Sequence, residues 1–366
     1  MRRLVFAGLI LASMLSSGCY YSHLASGQLK LLWSRQPIEQ VIEAPETPEQ
    51  TRSLLRLVLS VRAFAEDLGL RVGNQYTSYV EWPHDRIVTT LVRTRPNSVE
   101  AVPYRFPFVG PLPYKGYFDR DQAETEARRL RKEEAFDVCV SGVAAYSTLG
   151  WLDDPVTSPM LRRGAISLVE TLLHELVHAT AFVVDDVDFN ESVAQFIGQE
   201  AAVRFFKAAV EDTELSARVS WPEPERVRDS IADRRAIARV TVALRDRIVA
   251  LAGDPDPARK RAEVERDARA ELAALPLRVL DPEKVAAGAR LTNACLALRG
   301  AYIRNLPRHA EVLAALGGDL KAMIRRLAEI SDSDRGADDF YQVSGRVSSM
   351  TDQFDHVFVD ETAEDF

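Results

Sequence analysis

The segment TLLHELVHAT, residues 171–180, constrains the fold of this chain more than any other part of the sequence. It places His174 and His178 four positions apart within a run of leucines and valines at helical spacing. Because an α-helix turns once in 3.6 residues, both imidazoles project from the same face of the helix. The sequence therefore predicts an amphipathic helix from Ile166 to Val184 that carries two imidazoles on one side and packs its apolar side against a core.

This histidine pair has the spacing of a metal site. Two neutral imidazole nitrogens one helical turn apart can hold one cation, and zinc is the metal that such a pair holds in peptidases. Glu175, next to the first histidine, reaches the edge of the site, where it can act as a general base toward water. A purely structural zinc site does not require that carboxylate. We therefore predict zinc ligands at His174 and His178, with Glu175 as the catalytic base.

A catalytic zinc site needs a third protein ligand, and the sequence offers two sources for it. Glu191 lies at the start of a second predicted helix, Asn190 to Ala209, and enough chain precedes it to turn and pack antiparallel. Acidic residues at the end of the first helix are the alternative, although their ordinary role is a solvated turn with a helix N-cap. We favour Glu191 as the ligand and expect Asn190 to be the cap. The alternative ligands are Asp185, Asp186 and Asp188.

The first nineteen residues, MRRLVFAGLILASMLSSGC, have the order of a bacterial export signal. Arg2 and Arg3 supply the positive charge, and the apolar stretch Leu4 to Leu15 is too short to span a bilayer as a mature helix. The ending SSGC resembles the lipobox of bacterial lipoproteins, in which the cysteine receives the lipid, although Ser16 stands where leucine is usual. We therefore predict lipidation of Cys19, with plain secretion or an uncleaved N-terminal anchor as the alternatives.

A lipid on Cys19 would hold the protein to a membrane on the periplasmic side of the cell envelope. Tyr20 follows the cysteine where aspartate would signal retention at the inner membrane, so by analogy with enterobacterial sorting we favour the outer membrane.

The other two cysteines and the net charge restrict the remaining possibilities. Cys139 and Cys295 lie in apolar segments, and we predict both as small buried hydrophobic residues with no disulfide framework. The formal net charge of −8 argues against a nucleic-acid partner, because no basic surplus exists to displace phosphate counterions.

Hydrophobic periodicity divides the chain into a mixed first half and a helical second half. We predict helices at residues 20–42, 51–68, 121–136, 166–184, 190–209, 282–303 and 308–330, with a long helical hairpin over 212–275. The segments Tyr76 to Trp82 and Ile87 to Thr94 are predicted to form a β-hairpin around a turn at 83–85. The proline-rich segment Pro103 to Phe118 is predicted as an ordered loop. The apolar segment Asp137 to Tyr146 is predicted as a strand inside the sheet or along its cleft edge.

These elements predict an α+β fold that is predominantly helical, with a small β-sheet, a zincin-like metallopeptidase core and the long helical hairpin. After the signal peptide (1–19), we expect a single peptidase unit over residues 20–366. Within that unit we expect N-terminal helices (20–71), the zincin-like core (72–209), a helical region (210–330) and a polar tail (331–366).

Several long blocks of sequence resemble one family. They are the opening YYSHLASGQLKLLWSRQPI, the loop FPFVGPLPYKGYFD, the segment DVCVSGVAAYSTLGWLDDP, the metal segment HELVHAT…DFNESVA, and LTNACLALRGAYIRNLP followed by GGDL. Through these blocks the chain resembles the bacterial predicted aminopeptidases, a gluzincin-like group of lipoproteins, almost from end to end. The resemblance implies a zinc peptidase with ligands His174, His178 and Glu191 and with Glu175 as base. The departures are the weak lipobox and Thr292, where the family leads us to expect asparagine.

A peptidase of this kind also needs a donor to the developing oxyanion, and we predict Tyr302 or Tyr146 for that role. An aminopeptidase needs in addition an acidic group for the free N-terminus of its substrate, and Glu200 or one of the three aspartates could supply it. We therefore expect hydrolysis of a peptide substrate, with aminopeptidase action preferred. The alternatives are an envelope endopeptidase with the same site and a non-catalytic zinc-binding scaffold lipoprotein.

Overall fold

The structure, a computed structural model, describes residues 20–106, 110–144, 153–184, 186–211, 221–303, 305–333 and 335–343. Helices dominate these ranges. They are α1 (20–33), α2 (Ile38–Glu43), α3 (Glu49–Leu68), α4 (Arg120–Glu133), α5 (Ser158–Leu161), α6 (Ala165–Thr180), α7 (Val187–Glu211), α8 (Pro224–Val249), α9 (Pro257–Ala273), α10 (Pro282–Gly288), α11 (Asn293–Ile303), α12 (Leu306–Ala315), α13 (Leu320–Ser331) and α14 (Ala337–Tyr341).

The strands are short and belong to three small sheets. They are β1 (Gln36–Pro37), β2 (Ser78–Val80), β3 (Val88–Thr94), β4 (Tyr104–Phe106), β5 (Gly110–Leu112), β6 (Tyr114–Tyr117), β7 (Asp137–Val143) and β8 (Val156–Thr157). The sheet orders are β1-β2-β8, β6-β3-β7 and β4-β5. All pairs are antiparallel except β2 with β8. The predicted α+β class, mostly helical with small sheets, is confirmed.

The β-hairpin predicted around residues 83–85 is wrong, because its two strands lie in different sheets. β2 pairs with β1 and β8, whereas β3 pairs with β6 and β7. After β2 the chain is held to α5, since the backbone N–H of Trp82 donates to Ser158 Oγ at 2.9 Å. The predicted loop Pro103 to Phe118 is also wrong in part, because it contains β4, β5 and β6. The apolar strand is confirmed as β7, which pairs only with β3 among the described residues and so forms an edge.

The predicted pair of long helices joined by a short connection is present as α8 and α9, with residues 250–256 between them. Arg247, near the end of α8, forms two hydrogen bonds with Glu271, near the end of α9. Leu244 of α8 and Leu272 of α9 belong to one hydrophobic cluster, so the two helices pack against each other.

The largest hydrophobic core is built around α6 and α7 and includes residues of helices from α2 to α14. Val58 of α3, Leu172 of α6, Phe196 of α7, Val312 of α12 and Ile324 of α13 all belong to it and are almost fully buried. Both helices that carry the predicted ligands run through this core, so the site is built on the largest hydrophobic cluster among the described residues.

Cys139 and Cys295 are buried, as predicted, but they form a disulfide with each other. Cys139 lies on the edge strand β7 and Cys295 on α11, with their Cα atoms 5.0 Å apart. The prediction of two unpaired hydrophobic residues is therefore wrong. Their separation of 156 positions explains the error, because nothing local in either segment indicates its partner.

Several predictions concern residues outside the described ranges. The signal segment with Cys19, the end of the predicted strand with Tyr146, the possible ligand Asp185 and the tail from residue 344 are among them, as is the side chain of Tyr302. Among the described residues, no helix has the length and apolar character required to cross a bilayer.

Candidate metal centre

The three predicted ligands converge at the crossing of α6 and α7. The Nε2 atoms of His174 and His178 lie 3.1 Å apart. Oε2 of Glu191 lies 3.4 Å from Nε2 of His174 and 3.6 Å from Nε2 of His178. Their side chains are only 5–22% exposed. These three residues are a group that could hold a metal ion.

The loop between the helices explains how Glu191 reaches the histidines. Helix α6 ends at Thr180, earlier than the predicted Val184, because the chain turns extended at Ala181. The side chain of Asn190 then binds the backbone of Val183 twice, accepting from its N–H at 2.8 Å and donating to its carbonyl at 2.7 Å. This clamp folds the start of α7 back onto the end of α6.

Asn190 is consequently not the helix cap that the sequence suggested. Helix α7 begins at Val187, and the carboxylate of Asp186 accepts from the N–H of Phe189 at 3.0 Å in the manner of an N-cap. The amide of Asn190 is instead buried inside the turn. The N-cap role expected for an aspartate of this loop is confirmed at Asp186.

Gly198 allows the two helices to approach closely, and sequence reasoning missed it. A Cβ atom at this position would lie 3.1 Å from the backbone nitrogen of His174 and 3.2 Å from the carbonyl oxygen of Glu170. Glu191 lies two turns before Gly198 on the same face of α7, so this contact sets its distance from the histidines. The sequence signal that could have identified Gly198 is its position two helical turns after Glu191, on the same face of the helix.

The electrostatics of the site favour a negative carboxylate between two imidazoles. Burial raises the pKa of Glu191, but hydrogen bonds from His174 and His178 outweigh it and hold that pKa well below its usual range. Burial also lowers the pKa of His174, yet the bond to Glu191 and the charge of Glu175 raise it overall. The two imidazoles and the carboxylate thus already behave as a charge-complementary set.

A second ionic contact lies one turn before His174. Glu170 pairs with Arg234 of α8, and Arg234 also donates to Ser230 Oγ at 2.7 Å. Burial raises the pKa of Glu170, while the charge of Arg234 opposes the shift. This contact connects α8 to α6, the helix that carries both histidines.

The predicted base Glu175 is half-buried on α6. Its charge acts on Tyr76, a buried residue that sequence reasoning missed. Tyr76 is 3% exposed, and its pKa is raised first by burial and then by the charge of Glu175. Its φ of 59° is a left-handed conformation that a bulky side chain rarely adopts. That backbone is fixed by the N–H of Tyr76, which donates to the carbonyl of Asp154 at 2.8 Å. No pattern in the sequence marks this tyrosine.

The acidic residues considered for a substrate amine have different surroundings. Glu200 is engaged by two arginines, with Arg204 at 2.9 Å and Arg235 at 3.2 Å. Asp188 is on the surface, one turn before Glu191. Partial desolvation raises the pKa of Asp188, and the charges of neighbouring carboxylates, Asp186 among them, raise it further.

A family model described as "Putative aminopeptidase" matches residues 19–339. No curated protein and no solved structure matches the chain. The matched range includes all three candidate ligands and most of the chain, and the chain therefore belongs to this aminopeptidase family.

Proposed function

We propose that this chain is a zinc-dependent aminopeptidase of the cell envelope. The observation that carries the proposal is the convergence of His174, His178 and Glu191, with their donor atoms 3.1–3.6 Å apart. Membership of an aminopeptidase family supports peptide hydrolysis.

The donor set and its spacing fit zinc. Two imidazoles and one carboxylate are a ligand set of catalytic zinc sites, in which the fourth position stays open. Ligand atoms about 2.0–2.1 Å from a tetrahedral ion are about 3.3–3.4 Å from each other. The three separations of 3.1, 3.4 and 3.6 Å scatter around that value. An ion of this size could therefore bind with little movement of the helices.

The protein's own residues would supply the proton transfers. A bound zinc ion contributes Lewis acidity, which activates water and polarises a peptide carbonyl. A carboxylate oxygen of Glu175 accepts the proton that the attacking water loses, and the same oxygen then donates it to the departing amine. Glu175 suits this role because it lies beside a ligand on the same helix while remaining half-buried.

The surroundings of Asp188 support aminopeptidase rather than endopeptidase action. A free amino terminus is a cation, and it needs an anion near the reacting carbonyl. Glu200 already pairs with two arginines, and Asp186 caps α7. Asp188 is at the surface one turn from Glu191. Its pKa is raised by burial and by the charges of Asp186, Glu100 and Glu191, which together outweigh the opposing charge of Arg245, and a substrate ammonium group would relieve this repulsion. We assign Asp188 as the group that receives the amine.

A zincin-like arrangement would place an extended substrate along an exposed strand. The edge strand β7 is the candidate, because a substrate backbone can add to a sheet edge by main-chain hydrogen bonds. The disulfide between Cys139 and Cys295 would hold this edge in position against α11.

The same disulfide supports a location outside the cytoplasm. Stable disulfides persist in oxidising compartments and are rare in the cytosol. Together with the signal-like first nineteen residues, this favours export and a lipid anchor on Cys19 that faces the periplasm.

Substitution of the proposed base tests the catalytic assignment. Glu175→Gln should lower kcat by about 10²–10⁴, the usual contribution of a general base, while bound zinc stays unchanged. Glu66→Gln, at an exposed position of α3, is the matched control and should leave both unchanged. Zinc is measured by elemental analysis of the purified protein. Full peptide hydrolysis by Glu175→Gln would refute the mechanism, and lack of zinc in the wild type would refute the metal.

A second substitution tests substrate recognition. Asp188→Asn should raise KM for peptides with a free amino terminus by roughly 10- to 100-fold, because one charge-assisted contact is lost. It should not change the slow cleavage of N-acetylated peptides. Asp67→Asn, exposed on α3, serves as control. A wild-type enzyme that cleaves N-acetylated peptides internally as fast as free ones is an endopeptidase, and the role of Asp188 would be abandoned.

A further inference from the structure

Helix α1 is attached to the body of the protein along one face. The hydroxyl of Tyr20 donates to the carbonyl of Gly116 at 3.0 Å, and Nε2 of His23 accepts from the N–H of Phe118 at 3.1 Å. Gly27 lies directly on the Phe118 ring, where a Cβ would come within 2.3 Å of ring atoms. Leu31, one turn later, is 1% exposed. These attached positions repeat every three to four residues, so they form one line along the helix.

The opposite face of α1 carries no charged residue. A surface helix normally presents charged and polar residues to water, and 27% of this chain is charged. The outward positions are occupied instead by Tyr21, Ser22, Ala25, Ser26, Leu29, Leu32 and Trp33.

Three large side chains on this face are held in solvent. Tyr21 is 40%, Leu29 44% and Trp33 81% exposed. Their positions differ by multiples of four, so they form a continuous apolar row about 18 Å long at 1.5 Å per residue. Trp33 has the highest exposure of the large apolar side chains described in the chain. Such a row in water lacks the burial that ordinarily stabilises an apolar face, which indicates a surface that is covered in the working protein.

The position of the row in the chain indicates what covers it. The row starts at Tyr21, two residues after Cys19, where the sequence predicts the lipid. Acyl chains on that cysteine would hold the first turn of α1 at the bilayer surface. Trp and Tyr side chains concentrate at the boundary between lipid and water, and helices with one apolar face lie in that boundary.

We propose that the outward face of α1 lies on the membrane surface, with Tyr21, Leu29 and Trp33 inserted among the lipids. This contact adds a second attachment to the lipid anchor, and it rests on the anchor that belongs to the proposed function. Because the inner face of α1 is attached through Tyr20, His23 and Gly27, the contact also sets how the protein is oriented on the bilayer.

The test uses the lipidated full chain bound to vesicles of phosphatidylethanolamine and phosphatidylglycerol that contain brominated acyl chains. Bromine quenches only tryptophan that lies within the bilayer. All samples carry Trp151→Phe, so that Trp33, Trp82 and Trp221 are the only tryptophans of the starting protein. Emission of this protein should be quenched, and the further substitution Trp33→Phe should remove that quenching, because Trp82 and Trp221 are buried. As control, Val249→Trp in the Trp33→Phe background places a tryptophan at an exposed site elsewhere, and it should be quenched by aqueous acrylamide only.

The possible failures are distinguishable. Protein that floats with the vesicles but keeps Trp33 unquenched by lipid and open to acrylamide would overturn the docking while leaving the anchor intact. Shielding of Trp33 without lipid, together with a dimer in sedimentation, would assign the face to a second copy and overturn the proposal. Protein that does not float would overturn both the anchor and the docking. Peptide hydrolysis in the same samples reports separately on the metal site.

Discussion

His309 provides the sharpest prediction for stability, because it is a titratable side chain sealed in an apolar cage. It is 0% exposed, and its ring centroid lies 5.5–5.9 Å from those of four aromatic rings. Burial lowers its pKa from 6.5 to about 3, with a smaller contribution from the nearby charge of Arg308. The rings belong to Phe189, Phe196, Phe340 and Tyr341.

The hydrogen bonds explain why the ring stays neutral. Ser192 Oγ donates to the carbonyl of Phe189 at 3.1 Å, so the contact of 3.0 Å with His309 assigns the proton to Nε2, which donates to Ser192. Nδ1 is buried with no hydrogen-bond partner among the described residues. A second proton there would create an unpaired buried donor and a buried charge.

The pH dependence follows from the two pKa values. The unfolded chain binds a proton on this histidine near pH 6.5, and the folded chain does so only near pH 3. Between these values the unfolded state holds more protons, so the stabilisation is complete above pH 6.5 and is lost as the pH falls toward 3. From pH 7.5 to pH 5 this one group should lower the free energy of unfolding by about 2 kcal/mol.

Urea unfolding at both pH values measures this contribution as a difference between variants. His309→Phe should lose about 2 kcal/mol less than the wild type between pH 7.5 and pH 5, because nothing at the site remains to titrate. His309→Gln gives the same test if phenylalanine overfills the cage. His84→Gln, at a surface position, should behave as the wild type. If wild type and both His309 variants lose stability equally, within about 0.5 kcal/mol, the cage does not exclude the proton and the reasoning is refuted.

Two further predictions concern the packing that holds the site. Gly198→Ala should lower the free energy of unfolding in urea by about 1–3 kcal/mol and weaken zinc binding, because the added Cβ meets backbone atoms of α6. Gly288→Ala is the control, because a Cβ there has nothing within 4 Å. A wild-type zinc affinity in Gly198→Ala would contradict the close approach of the two helices. Reduction of the Cys139–Cys295 disulfide should lower the free energy of unfolding by about 5 kcal/mol in the chain-entropy model for a loop of 156 residues. Urea unfolding with and without reductant measures this loss, and a wild type insensitive to reductant would argue that the disulfide does not form.

The sequence predicted the local part of the site well because that part depends on helical periodicity alone. His174 and His178 lie on one face in any helix, so no knowledge of the fold was required. Glu191 was a longer inference, and its position beside both imidazoles agrees with the predicted turn between two helices. The error at Asn190 shows the limit of this reasoning. Its residue type suggested a helix cap, but the oxygen and the nitrogen of its side-chain amide are both hydrogen-bonded to the backbone of Val183.

Contacts between distant segments were not predictable in the same way. The strand β2 has three residues and pairs with β8, 77 positions later, so its own pattern could not exclude a hairpin with β3. The disulfide joins positions 156 residues apart. In both cases the packing of the whole fold determines which strand or cysteine becomes the partner, and no local sequence pattern indicates it.

The carboxylate of Glu191 shows how a ligand that is distant from the motif is nevertheless held in place. Its two neighbours in sequence, Asn190 and Ser192, are both buried and both hydrogen-bonded, one to the loop at Val183 and the other to His309. The backbone on either side of the ligand is therefore fixed before any ion binds. Because this backbone is already fixed, metal binding costs less conformational entropy, and in this way buried polar neighbours increase the affinity of a metal site. The histidine motif thus supplies two ligands through periodicity, and the third depends on the buried contacts of a second helix.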